Sequence, residues 1–184
     1  LKRSALRLPG GEGVFRRVLA GEGYRSALEI GTYRGCSTAA IAQYVERVTT
    51  IDLLHGIVER DGGFDRLAFW DSLGLRNIAL VQVTDDAEEG EVIAGLDFDF
   101  AFIDGGHDEV SVRRDFALVR RCGRVLFHDY DTSGRAWLRH VFDLVQRDGA
   151  RTAELFGTAL ARDGGFTVTK EEFARIAGHA VHAQ

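Results

Sequence analysis

Five short apolar segments of this chain each close on an acid or a histidine, and a helical pattern follows each of them. They are Ser26 to Ile30, Arg47 to Ile51, Asn77 to Val83, Phe98 to Asp104 and Arg124 to Phe127. Strands that alternate with helices cannot pair through tight hairpins. They predict a parallel sheet with helices on both faces, a doubly wound α/β fold. The fourth segment, Phe98-Asp99-Phe100-Ala101-Phe102-Ile103-Asp104, is mostly apolar, as a strand covered on both sides must be. Helical spacing follows over Ser37 to Val45 (Ala39, Ala42, Val45), Arg66 to Leu73 (Leu67, Trp70, Leu73) and Glu109 to Arg121 (Val112, Phe116, Val119). A short helix to about Gly95 follows the polar turn Thr84-Asp85-Asp86. Val14 to Leu19 predicts a helix covering the sheet, and Arg135 to Gln146 is strongly amphipathic. Two late strands, near Thr152 to Phe156 and Ala159 to Arg162, depart from the alternation; they predict an antiparallel edge and bring the sheet to seven strands. Thr169 and Glu172 form a capping box for a last helix. No linker, repeat or low-complexity stretch divides the chain, so residues 1–184 read as one domain.

Composition narrows the class of partner. The net charge of −5 offers no basic footprint for a nucleic acid. The pairs Arg113-Arg114 and Arg120-Arg121 read as a solvated helix face. No apolar run approaches 18 residues and no secretory signal opens the chain, which argues against a membrane partner. Two cysteines 86 positions apart suggest thiols in a reducing compartment, and the expected location is cytoplasmic. Cys36 stands near a helix start, where a thiol pKa can fall, although a small packing role suits it better. A small-molecule acceptor is the expected partner, and a homo-oligomer stays open.

In open α/β sheets ligands bind beyond the carboxyl ends of the strands, near the reversal of strand order. That rule gathers Glu29, Gly31, Asp52, Asp85, Asp86, Asp104, His107, His128, Asp129 and Asp131 on one rim. Asp52 alone reads equally well as a cap or turn residue; acids or imidazoles at five successive strand ends favour a site. Asp52 lies 21 residues after Gly31, where a carboxylate can take both hydroxyls of a cofactor ribose. The run Ala27-Leu28-Glu29-Ile30-Gly31-Thr32-Tyr33-Arg34-Gly35-Cys36-Ser37-Thr38 supplies a strand, a glycine turn and a helix start. Its spacing is not the dinucleotide fingerprint, because Tyr33 stands where a second glycine belongs. It resembles instead the cofactor loop of class I S-adenosylmethionine-dependent methyltransferases. The expected cofactor contacts are Glu29, Gly31, Thr32, Tyr33, Ser37, Asp52, Asp86 and Asp104, with Asp86 preferred over Asp85 for the adenine amino group.

The stretches Phe100-Ala101-Phe102-Ile103-Asp104-Gly105-Gly106-His107 and Gly123-Arg124-Val125-Leu126-Phe127-His128-Asp129-Tyr130 sharpen the likeness. Together they resemble small O-methyltransferases of that class, the group with Ile-Asp-Gly-x-His and a His-Asp pair. The resemblance covers about residues 24 to 165. It implies a Rossmann-like methyltransferase fold and a divalent metal, magnesium first, with manganese, iron or zinc as alternatives. The implied ligands are Asp104 and Asp129, with His128 as a third ligand or as the residue orienting Asp129. His107 stands at the offset of a general base and also reads as a helix-start residue. The implied activity is metal-assisted O-methylation of a small hydroxylated metabolite or sugar, with His107 and Asp104 as the catalytic pair. Two other readings are a non-catalytic cofactor-binding domain acting with a partner protein and, last, a nicotinamide oxidoreductase.

Overall fold

The computed structural model describes residues 12–54, 64–106, 108–122, 124–128 and 153–155. The elements run α1 (Glu12–Leu19), β1 (Ser26–Ile30), α2 (Cys36–Ile41), β2 (Arg47–Leu53), α3 (Arg66–Ser72), β3 (Ile78–Val83), α4 (Asp86–Ala94), β4 (Phe100–Ile103), α5 (Glu109–Val119), β5 (Arg124–Phe127) and β6 (Ala153–Leu155). The six described strands form one sheet in the order β3-β2-β1-β4-β5-β6. Every pairing is parallel. The order reverses between β1 and β4, which is where the crevice of a doubly wound sheet opens.

Side-chain alternation sorts the core into two layers. Ala27, Val48, Phe100, Phe102 and Leu126 face α1 and α2, where Phe15, Val18, Leu19, Ala40 and Ile41 complete one cluster. Their neighbours Leu28, Ile51, Ala101, Ile103, Val125 and Phe127 face the other way, against Ile93 of α4 and Val112, Phe116 and Val119 of α5. Burying both sheet faces explains the near-continuous apolar runs of β1 and β4.

The strand bounds of β1 and β5 match the sequence reading, and Val112, Phe116 and Val119 point inward as expected. Other details differ. Helix α2 stops at Ile41, with Ala42, the next periodic residue, as its C-cap. The chain there tightens to three-residue bonds, and Asn77 Nδ2 takes the carbonyls of Ala42 and Val45 at 2.9 and 3.0 Å. Leu67 is exposed while its neighbour Arg66 is buried, so the inward face of α3 is Arg66 and Trp70. Strand β6 lies parallel to β5, which corrects the antiparallel edge expected for it. The other late strand, the helix over 135–146 and the last helix lie outside the described residues.

The point of reversal is tight. Gly31 holds φ +93°, and a Cβ there would overlap the carbonyl of Asp104 and lie 2.8 Å from Gly105 N. Two backbones meet where a side chain would have to stand. Gly31→Ala adds left-handed strain to this overlap, and the neighbours are backbone atoms that cannot swing away as a side chain would. It is expected to cost about 3 kcal/mol or more in urea unfolding.

Candidate active site

The strand ends are held level by backbone bonds: Gly31 N donates to Ile51 O at 2.9 Å, Asp104 N to Ile30 O at 2.8 Å, and His128 N to Ile103 O at 2.9 Å. Glu29, Gly31, Thr32, Asp52, Asp104 and His128 are thereby brought to one rim, across β2, β1, β4 and β5.

Glu29 is fully buried. Its carboxyl accepts hydrogen bonds from Ser37, Thr38 and Thr50, the last at 2.7 Å, and Thr50 in turn meets Thr32 Oγ1 at 2.7 Å. One acid therefore ties β1 to β2 and to the start of α2. Burial pushes its pKa up to about 7, against the lowering effect of the three hydroxyls; the Asp104 charge adds to the rise.

Asp52 is held differently. Arg66 Nη1 reaches Asp52 Oδ2 at 2.9 Å and the Tyr33 carbonyl at 3.1 Å, and Tyr33 N donates to the same Oδ2 at 3.1 Å. Tyr33, with φ +43°, sits in the left-handed region that glycine favours. Burial raises the Asp52 pKa, opposed by Arg66 and by the backbone donors of Tyr33 and Leu53. Beside it, Trp70 Nε1 donates to the Gly35 carbonyl at 2.8 Å, and its ring fills the space that a Cβ on Gly35 would need. The Arg34 guanidinium lies 5.5 Å from the Tyr33 ring and 5.9 Å from that of Phe64.

Asp85 caps α4 by accepting from the backbone of Ala87 and Glu88. Asp86, exposed, pairs with Arg114, which also contacts Glu89 at 3.4 Å and Asp115 at 2.8 Å. Arg114 therefore joins α5 to α4 and does not belong to a solvated face. Burial raises Glu89 to about 7 and Asp115 to about 6, opposed by Arg114. Partial burial raises the Cys36 thiol pKa, outweighing the nearby Arg34, at a helix start that could have lowered it.

At the other end of the crevice His128 Nδ1 lies 2.9 Å from Asp104 Oδ1, and its ring meets Phe102 edge-on at 6.0 Å. Two of the implied metal ligands are thus in contact. Asp129 and His107 lie outside the described residues. Among the described residues no three His, Cys, Asp or Glu side chains are grouped to hold a metal. Ser37 stands beside Glu29 at the second position of α2, near the mouth of the crevice. The sequence reading missed Arg66 and Arg114. Each is an arginine inside an apparently ordinary amphipathic helix, and only the acid that meets it distinguishes it.

Glu29 gives the site a pH signature. Its pKa is higher in the folded state, so the folded chain binds the extra proton between 4.5 and about 7. The stability it contributes is full below 4.5 and is lost as pH rises through about 7. Glu29→Gln keeps an acceptor for Thr38 and Thr50 without the charge. It is expected to gain about 2–3 kcal/mol over the parent between pH 5 and pH 8 in urea unfolding, flattening the pH profile. An equal offset at both values would show that Glu29 is ionised throughout.

A family model described as "Methyltransferase domain" matches residues 28–130, from within β1 to just past β5. Solved structures with TM-scores above 0.5 share the fold at low identity. The O-methyltransferase TomG from Streptomyces achromogenes, in complex with SAM, is 20% identical, with 83% of this chain and 73% of that one covered and a TM-score of 0.55. Cofactor-bound Rv0187 from MTB is 21% identical, with coverage of 82% and 72% and a TM-score of 0.56. The O-methyltransferase from Bacillus cereus in complex with SAH is 23% identical with a TM-score of 0.45; the match covers 60% of this chain and 51% of that protein. No curated protein sequence matches this chain. Among the described residues no helix is long and apolar enough to cross a membrane. The family match runs through the glycine turn, Asp52 and the Asp104–His128 pair, and the chain belongs to the methyltransferase-domain family.

Proposed function

We propose that this chain transfers a methyl group from S-adenosylmethionine to the hydroxyl of a small metabolite or sugar, assisted by a divalent metal. The observation that carries the reading is the family match over residues 28–130, laid on a crevice with the Gly31 turn at one side and Asp52 and Asp104 at its rim. The site suits a nucleoside cofactor. Gly31 lets the ends of β1 and β4 close together at the base of the crevice, and Asp52 remains partly exposed as an acceptor for a ribose hydroxyl. Asp86 faces the adenine amino group, and Ser37, Thr32 and Tyr33 line the amino-acid end. Glu29 acts from behind, since its oxygens are engaged by Ser37, Thr38 and Thr50.

The bound cofactor supplies an already activated methyl, so the chain's task is orientation and proton removal. His107 follows Asp104 by three residues and removes the acceptor's proton. Asp104, Asp129 and His128 form the donor set for the metal, and mixed carboxylate and imidazole donors suit a first-row divalent ion or magnesium. Such an ion lowers the acceptor's pKa when bound. The contact between His128 and Asp104 fixes the carboxylate for that task. A cytoplasmic location and a small-molecule acceptor accord with the composition.

Isothermal titration tests the cofactor first. S-adenosylhomocysteine is expected to bind and NAD to give no heat, and Asp52→Ala should weaken binding by about 1.5–3 kcal/mol. Binding of NAD alone would overturn the reading. A methyl-transfer assay against a panel of hydroxylated acceptors tests the chemistry. Turnover should fall with chelator and return with added divalent ion, while Asp104→Asn should abolish the recovery. His107→Ala should lower the rate by about 10²–10⁴-fold with cofactor affinity unchanged. Cofactor binding without transfer to any acceptor would favour a binding domain that works with a partner protein.

A further inference from the structure

The ring formed by Asp52, Tyr33 and Arg66 restricts what the Asp52 carboxylate can still accept. An ionised carboxylate offers about four lone-pair positions. Tyr33 N at 3.1 Å and Arg66 Nη1 at 2.9 Å both donate to Oδ2, so that oxygen is committed to the protein. Oδ1 is left to face a ribose, whose two hydroxyls would otherwise divide between the two oxygens. The side chains of Asp52 and Arg66 are 16% and 5% exposed, so water does not readily compete for the pair. The same Nη1 also donates to the Tyr33 carbonyl at 3.1 Å, and Tyr33 sits at φ +43°. The guanidinium thus holds carboxylate and loop together from the first turn of α3, whose N-cap Asp65 accepts from Ala68 N.

We propose that Arg66 is a positioning residue of the cofactor site, which commits one oxygen of Asp52 to the loop and leaves the carboxylate a single ribose hydroxyl to accept. This narrows the usual expectation, in which one acid takes both hydroxyls. It rests on the cofactor reading above and deepens it. Arg66 contacts the Asp52 carboxylate and the Tyr33 carbonyl. It acts by setting which oxygen of Asp52 faces the crevice, and removing it frees a lone pair and releases the loop.

The test is isothermal titration of the full chain with S-adenosylhomocysteine and with its 2′-deoxy and 3′-deoxy analogues. With the parent protein one deoxy analogue should bind about tenfold more weakly than S-adenosylhomocysteine, and the other within about threefold of it. Asp52→Asn should shrink the larger of these losses. Arg66→Met should weaken S-adenosylhomocysteine by about tenfold and bring the two analogues within about threefold of each other. Arg66→Lys, which keeps one charged donor and threatens folding least, should fall between. Equal losses for both analogues in the parent would overturn the inference. So would retention of the parent's preference in Arg66→Lys and Arg66→Met, which would leave Arg66 a purely structural ion pair. If the parent bound none of the three ligands, the cofactor reading itself would fall, an outcome distinct from either of these.

Discussion

The structure depends on the contact between the ends of β1 and β4, where two backbones touch without an intervening side chain. Gly31 stands against the Asp104 carbonyl, and Asp104 N bonds to Ile30 O at 2.8 Å. This pairing is the point at which the sheet reverses: β2 and β3 extend one way, β5 and β6 the other. The helices that follow β1 and β4, α2 and α5, cover opposite faces, so their starts splay apart and leave a crevice above the junction. The apolar runs of β1 and β4 follow from their central position, with Leu28, Phe100 and Ala101 fully buried. A bulkier residue at position 31 would separate the strands and shift every residue at the rim.

Around that junction the chain handles its carboxylates in four ways. Glu29 is enclosed with hydroxyls and holds its proton to about pH 7, because hydroxyl donors offset only part of the cost of burying a charge. Asp52 remains close enough to water, and to the Arg66 guanidinium, to serve as an acceptor. Asp86, Glu89 and Asp115 gather on Arg114; burial raises the pKa values of Glu89 and Asp115, and neighbouring acids add to the rise against the single cation. Asp104 takes an imidazole as its partner. Neighbouring acids of similar sequence context thus differ in role through burial and through the basic group each one meets.

The sequence alone determined the class of fold. Alternation of apolar segments with 3.6-residue periodicity is a local property, and it located β1, β5 and the inward face of α5 without reference to anything distant. The glycine turn and the strand-end acids marked the rim, because the ends of parallel strands must lie together. Tertiary structure decided what each acid does. Whether Glu29 faces a ligand or a threonine depends on Thr50, 21 residues away on another strand. Whether Arg66 is a surface charge or the partner of Asp52 depends on how α3 packs, and the same holds for Arg114 across α4 and α5. The direction of β6 and the early stop of α2 also came from long-range partners, the edge of β5 and the amide of Asn77. Periodicity reports which side of an element is apolar; it carries no information about which polar group arrives there from elsewhere in the chain, and the chemistry of this crevice rests on those arrivals.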